Sequence, residues 1–406
     1  MRILMLNFAK KGFGTFYRSY DWAKYLIKVG YEVTIACLSK KKRVNGKFNC
    51  DNGIRIYETP NFLDLSILMS RFSGIEGWGI FDINVRLREI LHGEYDIIHT
   101  FEHHPNVSFP IYLTPKKRLP LLISDWCDNY GKGGFRDFYK YRLDFLYRSI
   151  GFPLRKWFDF IDKDLKMKSK GITVISNFLL QRAIDMGVKR ERALLIRGSV
   201  DTDKIKPFPK KMAKRKIGLH NKGKILAFLG THQPDLDLAL EALNLILRYK
   251  PDTSLLIIGE KSGIIRDKAF KLGVMNNIIQ TGWCSREELP WYLSAADAFL
   301  LPMKDNSVNQ ARWPNKIGEY MAAGRPTVST KVGDVAELIE EEKIGLVSEI
   351  NPEDFSTKIM LILKNKELSE RMGENARKVA EKKFAIDIQG MKIKHFYEAL
   401  LRRSMH

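Results

Sequence analysis

Cysteine is scarce: the 406 residues hold four, Cys37, Cys50, Cys127 and Cys284. Their wide spacing offers no C-x-x-C zinc knuckle or redox pair and no disulfide framework, so a reducing compartment is expected. Long hydrophobic runs are also lacking. No stretch approaches the roughly 20 apolar residues of a spanning helix. The opening Met1-Arg-Ile-Leu-Met-Leu-Asn7 is too short for an export signal and is soon followed by Lys10 and Lys11. The expected location is cytoplasmic, with peripheral attachment to the inner face of the cell membrane left open. Low-complexity tracts and short-period repeats are missing, which argues against solenoids. Acidic charge is in deficit: 47 Asp and Glu against 68 Lys and Arg leave a formal +21, which calls for an anionic partner or surface.

What is present suffices for two cores, since 45% of the residues are hydrophobic. Residues 2–7 form an apolar run, Gly12-Phe-Gly14 a turn, and Phe16, Trp22, Ala23, Leu26 and Ile27 recur at helical spacing before a second run at 31–36, which makes one βαβ unit. Further strands are predicted at 54–57, 97–99, 119–124 and, as the last of this sheet, 171–175. The alternation restarts at Lys224, with strands predicted at 225–229, 254–258, 277–281, 298–301, 327–330 and 345–348. The proline- and lysine-rich stretch 204–211 reads as a linker. The fold class is therefore α/β with two Rossmann-like doubly wound domains, at 1–195 and 196–385, followed by a C-terminal helix within 386–406.

Residues 314–326, Pro-Asn-Lys-Ile-Gly-Glu-Tyr-Met-Ala-Ala-Gly-Arg-Pro, are predicted as a short helix between two strands. Pro314 suits its first turn, and Gly324 and Pro326 close it. Unpaired N–H groups and a partial positive charge at the helix start favour a phosphate, and Lys316 adds a full cation. Glu319, one turn deeper on the same face, can accept from a pair of hydroxyls. The order fits a diphosphate followed by a ribose. The alternative is an amphipathic helix with ordinary caps.

This stretch resembles the signature of family 4 retaining glycosyltransferases (glycosyltransferase group 1) of the GT-B fold, whose corresponding glutamate holds the ribose of a nucleotide sugar. Thr173-Val-Ile-Ser-Asn-Phe178, the run from Gly187 to Ile196 and Gly198-Ser-Val-Asp-Thr-Asp-Lys204 resemble that family's domain join. Lys224-Ile-Leu-Ala-Phe-Leu-Gly230 resembles the opening strand of its nucleotide-binding half. The resemblance implies two domains facing across a cleft and a C-terminal helix crossing back to the first. It also implies transfer from a nucleoside diphosphate sugar, held mainly by the second domain, to an acceptor held by the first.

Such a transfer needs charge stabilisation at the departing diphosphate. Candidate donor contacts are Glu319, Lys316, Asn315, Arg312, Gly230 and the Gly12–Gly14 turn, where missing Cβ atoms allow close backbone approach. Trp283, after a strand end, either stacks on the nucleobase or covers the core. Asp125 and Asp128, just past a strand, are candidates to act on the acceptor hydroxyl or steady the cationic transition state. His103 and His104 are candidates to contact acceptor or donor sugar, although adjacent side chains do not both face one cleft. The family usually has a histidine near Asp125, and this chain resembles a subset with Asp-x-x-Asp.

Two departures stand out. A second glutamate expected eight residues before Glu319 is Ala311, and the usual Arg and Lys of the second domain are Thr231 and Leu236. Arg312, Lys316, Asn309 and Asn315 lie close enough in sequence to compensate. Metal dependence is not expected: Asp201-Thr-Asp203 falls at the domain join, and Asp235-Leu-Asp237 opens a helix, where aspartates act as caps. Residues 135–170 interleave cations (Arg136, Lys140, Arg155, Lys156) with rings (Phe138, Tyr139, Trp157, Phe158), and 62–72 with Trp78 and Phe81 form a second apolar group. They suit either an anionic membrane surface or an internal aromatic stripe beneath a solvated basic face. If they face lipid, the acceptor is a glycan precursor on a polyprenyl carrier, and no nucleic acid is expected as partner. Competing readings are a nucleotide-sugar 2-epimerase and a non-catalytic relative that binds anionic glycan or nucleic acid.

Overall fold

The computed structural model describes residues 1–42, 44–62, 65, 76–131, 133–135, 149, 151–230 and 233–405, with backbone only at 233, 234 and 405. Contacts divide it into two units, Met1–Arg197 with Ile386–His406, and Gly198–Ala385.

The first unit is built on eight strands: β1 (Arg2–Lys10), β2 (Glu32–Leu38), β3 (Lys47–Asp51), β4 (Ile54–Thr59), β5 (Ile97–Phe101), β6 (Leu121–Trp126), β7 (Gly171–Val174) and β8 (Ala193–Leu195). Their order is β3-β4-β2-β1-β5-β6-β7-β8. All pairs are parallel except β3–β4. Central strands of a sheet covered on both faces read as unbroken apolar runs. Ile3, Leu4, Met5 and Leu6 are accordingly all fully buried. Two strands depart from the sequence reading: β3 is polar and half-exposed, and β8, only three residues long, displaces 171–175 as the last strand.

The C-terminal helix Ile386–Met405 packs on the helix Phe16–Lys28. Contact is close because Gly390 has no side chain; a Cβ there would lie 2.2 Å from that of Tyr25. Deeper in, the Tyr397 hydroxyl stands 2.7 Å from His99 Nδ1, and His99 Nε2 stands 3.1 Å from Thr173 Oγ1. Thr173 donates at 2.5 Å to Asp125 Oδ1. Its hydroxyl proton is thus spent on Asp125, so His99 must donate from Nε2 and accept from Tyr397 at Nδ1. Burial drives the His99 pKa down to about 3, which keeps it neutral.

The second unit holds β9 (Ile225–Leu229), β10 (Ser254–Ile258), β11 (Ile278–Gln280), β12 (Ala298–Leu301), β13 (Thr327–Thr330) and β14 (Gly345–Ser348), all parallel, in the order β11-β10-β9-β12-β13-β14. Leu236 lies in its apolar core with Leu226, Phe228 and Leu240. A lysine there would bury its ammonium, so this position serves packing. Thr231 lies outside the described residues.

Most of the basic aromatic stretch, 136–148 and 150, and most of 62–72 also lie outside them. The remainder is the helix Gly151–Lys168, and it shows both expected faces. Phe158, Ile161 and Leu165 are buried, whereas Phe152, Trp157 and Phe160 are exposed beside exposed Lys156 and Lys163. Trp78 packs edge-on against Phe109 and Phe158. No helix among the described residues is long and apolar enough to cross a membrane.

Candidate functional site

Parallel sheets open a crevice where neighbouring strands send their connections in opposite directions, at the carboxyl ends. The strand orders place that point between β1 and β5 in the first unit and between β9 and β12 in the second.

At the first, the turn after β1 carries Gly12 at φ +76° and Gly14 at φ +49°, both left-handed. A Cβ at Gly12 would press on Lys40 Nζ at 3.3 Å, whereas Gly14 faces open space. The turn thus favours glycine at both positions for its backbone.

The two histidines after β5, expected to offer one ring to a sugar, are both enclosed in this structure. His104 stacks on Phe8, ring centroids 3.9 Å apart, with Nδ1 held 3.1 Å from the Glu76 carbonyl. Burial lowers its pKa to about 3. His103 Nδ1 lies 3.1 Å from Asp162 Oδ1 and 3.7 Å from Glu102 Oε2. Asp162 is also paired with Lys166. Burial works to raise the Asp162 pKa, but the charges of His103 and Lys166 outweigh it and hold the group low.

The aspartates after β6 separate. Asp125 is fully buried, with Arg18 Nε and Nη2 donating to its two oxygens at 2.9 Å each. Its carboxylate is committed to the fold and has no exposed face in this structure. Asp128, two residues beyond the strand end, is half-buried, and its backbone N–H donates to Glu102 Oε1 at 2.9 Å. Glu102 was not singled out from sequence. Its signal is a left-handed φ of +65°, which the letter E does not encode.

At the second switch point, the predicted helix is shorter than expected, Lys316–Ala322, with Asn315 at the N-cap and Pro314 outside it. The N–H groups of Ile317 and Gly318 already donate to the carbonyls of Pro314 and Asn315 at 3.1 Å. Several free amides are therefore not what this helix offers, and the weight falls on side chains. Lys316 Nζ sits 3.8 Å from the centroid of the Phe228 ring, over the end of β9. Gly230, at φ +107°, leaves that space open: a Cβ there would stand 3.5 Å from the ammonium. Burial pulls the Lys316 pKa down to about 8, against the opposing pull of Asp235 and Glu319.

Arg312 Nη2 donates to Asp235 Oδ2 at 2.7 Å, and its Nε is buried without a partner. Asp237 pairs with Lys268 at 2.5 Å. Both aspartates answer cations, and Asp235 lies in the first turn of the helix Gln233–Leu247. Asp201 Oδ1 accepts from the Lys204 N–H in a turn. Asn309 is buried, its Nδ2 donating to the Lys304 carbonyl. Glu319 is half-buried in the first turn beside Lys316. Trp283, after Gly282 at φ +80°, is 80% exposed, which excludes the core-covering reading. A cavity of about 260 Å³ opens beside this group, lined by Asp235, Pro302, Met303 and Lys304. A larger one of about 500 Å³ in the first unit lies at the start of β6, among Leu119, Leu121, Leu122 and Leu165, and holds none of the candidate donor-binding or catalytic residues.

Comparison with known proteins is consistent with this arrangement. Residues 14–204 match the profile of Glycosyltransferase Family 4, and 209–379 that of Glycosyl transferases group 1. YtcC of Bacillus subtilis (strain 168), named as a glycosyltransferase, is 23% identical over 337 residues, 77% of this chain and 75% of its own. TuaH of the same organism, named for teichuronic acid biosynthesis, is 30% identical over 142 residues, 35% of each chain. The crystal structure of Anabaena HepE in complex with UDP-glucose superposes with a TM-score of 0.71 at 15% identity, covering 98% of this chain and all of that one.

Proposed function

Because the chain belongs to the family 4, group 1 glycosyltransferases, we propose that it transfers a sugar, with retention at the anomeric carbon, from a nucleoside diphosphate donor held by the second unit to a glycan or lipid-linked acceptor. The observation that carries this reading is the group Lys316, Gly230 and Glu319 at the β9–β12 switch point. In the reaction the bond from the anomeric carbon to the diphosphate breaks, and one to the acceptor oxygen forms. The negative charge gathers on the departing diphosphate, where Lys316 and Arg312 supply cations in place of a metal. Glu319 accepts from the ribose hydroxyls, and exposed Trp283 stacks on the base. Asp128 receives or orients the acceptor proton. Uracil is the first base to try, since HepE is seen with UDP-glucose. An envelope polysaccharide is the first acceptor class, since TuaH is named for one.

The test is a thermal-shift screen of UDP-, GDP-, ADP- and dTDP-sugars in EDTA. A donor that binds only the folded state raises the melting temperature, by RT ln(1 + [L]/Kd) in free energy. At least one should do so. No shift with any of them would sink the reading, and a shift that needs added divalent cation would sink its metal-free form. The same donor should bind more weakly as pH rises through about 8, where Lys316 loses its charge. The substitution Lys316→Arg should flatten that profile, because a guanidinium stays protonated.

A membrane surface as partner is supported by exposed Phe152, Trp157 and Phe160 beside Lys156 and Lys163. Apolar rings with flanking cations favour anionic lipid. Cosedimentation with phosphatidylglycerol vesicles and not with phosphatidylcholine vesicles is expected. Equal binding to both, or to neither, would remove the lipid surface from the account.

A further inference from the structure

The carboxyl end of β5 holds a buried strain that the proposed chemistry has not used. Among the described residues, three non-glycine residues have a left-handed backbone, Asn52, Glu102 and Lys343. Asparagine tolerates that region, and Lys343 is exposed. Glu102 is fully buried. A non-glycine residue keeps such a conformation only where its surroundings over-determine it, and such residues cluster at functional sites.

What holds it is a set of bonds to the turn after β6. Glu102 Oε1 accepts from the Cys127 N–H at 2.6 Å, the Cys127 thiol at 2.9 Å and the Asp128 N–H at 2.9 Å. Its own N–H donates to the Asp125 carbonyl at 3.2 Å. The other oxygen, Oε2, is buried without a hydrogen-bond partner and faces His103 Nδ1 at 3.7 Å. With an ordinary backbone, the side chain would leave Cβ in another direction and these bonds would not form.

We propose that Glu102 is a positioning residue for Asp128: its carboxylate clamps the Cys127–Asp128 turn and thereby fixes where the Asp128 side chain stands. This rests on the reading of Asp128 as the group that meets the acceptor hydroxyl. The same three residues, Glu102, Cys127 and Asp128, lie near enough to hold a metal ion. The thiol argues for the clamp instead. It donates to Glu102 Oε1 at 2.9 Å, as a protonated thiol in the clamp does and a metal-bound thiolate does not.

The variants that test this are Glu102→Gly, which suits a φ of +65° and removes the clamp, and Glu102→Gln, which keeps one oxygen for the amides. Two readouts are needed. Amide hydrogen exchange of the Cys127–Asp128 turn requires no substrate. Turnover is followed as nucleoside diphosphate released from the sugar donor that most stabilises the wild type, with water as the acceptor probe. In Glu102→Gly, exchange should quicken and kcat should fall, each on the order of 10- to 100-fold, as expected for losing hydrogen bonds to a charged group. Donor KM should not move, and Glu102→Gln should fall between. Asp128→Asn should add little to Glu102→Gly, because both act through one carboxylate. Unchanged exchange in Glu102→Gly overturns the clamp, and quicker exchange with unchanged kcat overturns its role in positioning. If Asp128→Asn alone keeps wild-type kcat, it is the acceptor reading of Asp128 that fails, and the positioning role goes with it. The exchange data then report the clamp as purely structural.

Discussion

Alanine at Glu319 is expected to lower kcat/KM for sugar transfer by about 10²- to 10⁴-fold while the protein stays folded. The carboxylate is proposed to accept from two ribose hydroxyls. Each hydrogen bond to a charged group is worth about 1.5–3 kcal/mol, and each 1.36 kcal/mol is about tenfold in rate. A second loss adds to this. Glu319 is one of the charges that hold the Lys316 pKa up against burial. Without it, that pKa falls below about 8, and the diphosphate meets fewer cations at neutral pH. The cost in stability is small by comparison. Glu319 is half-buried and in the first turn of its helix, where a carboxylate contributes about 0.3–1 kcal/mol through the helix dipole. Glu319→Gln should fall between, since an amide oxygen accepts from one hydroxyl while its nitrogen only donates. Steady-state kinetics and calorimetric titration of the donor give the numbers. Wild-type kcat/KM in Glu319→Ala would show that the pentose is held elsewhere.

Much of the architecture was legible because both sheets are covered on both faces. Continuous apolar runs such as Ile225–Leu229 and Ser254–Ile258 are fully or nearly fully buried, and all six strands of the second unit fall within a residue of their predicted places. The exceptions have physical causes. β3 is an edge strand, Lys-Phe-Asn-Cys-Asp, whose pairing leaves it half-exposed, so no burial pattern marks it. β8 is too short to show a period.

The site was legible in position more than in role. Glycines at Gly12, Gly14 and Gly230 and the lysine–glutamate spacing at Lys316 and Glu319 mark strand ends that the fold brings to its two switch points. Which carboxylate is buried and which stands at the rim was not readable. Asp125 and Asp128 are three residues apart and differ only in what the rest of the unit sends toward them: Arg18 and Thr173 to one, the Glu102 clamp to the backbone of the other. His103 and His104 likewise look available as letters. They are enclosed because Phe8, Asp162 and the Glu76 carbonyl, all distant in sequence, close over them.

Breaking the Arg18–Asp125 pair is expected to destabilise the first unit by about 3–5 kcal/mol, the range for stranding one partner of a buried ion pair. Both side chains are almost entirely shielded from water. Asp125→Ala leaves the guanidinium with the Ile196 carbonyl at 2.8 Å and the face of Trp22 at 4.3 Å. Arg18→Met leaves a buried carboxylate with the Thr173 hydroxyl alone. Replacing both, as Arg18→Met with Asp125→Leu, should recover most of the loss, since well-packed apolar pairs often match a buried salt bridge in stability. Urea unfolding followed by tryptophan fluorescence reads this directly, because the Arg18 guanidinium lies over the Trp22 ring. Single variants within about 1 kcal/mol of wild type would mean that water or a shifted side chain satisfies the stranded charge. The pair also belongs to function. It anchors the end of β6, from which Asp128 projects, and Thr173 links it through His99 to Tyr397 of the C-terminal helix. Donor affinity, assigned to the second unit, should therefore survive in these variants at temperatures where the first unit is still folded, while transfer declines with it.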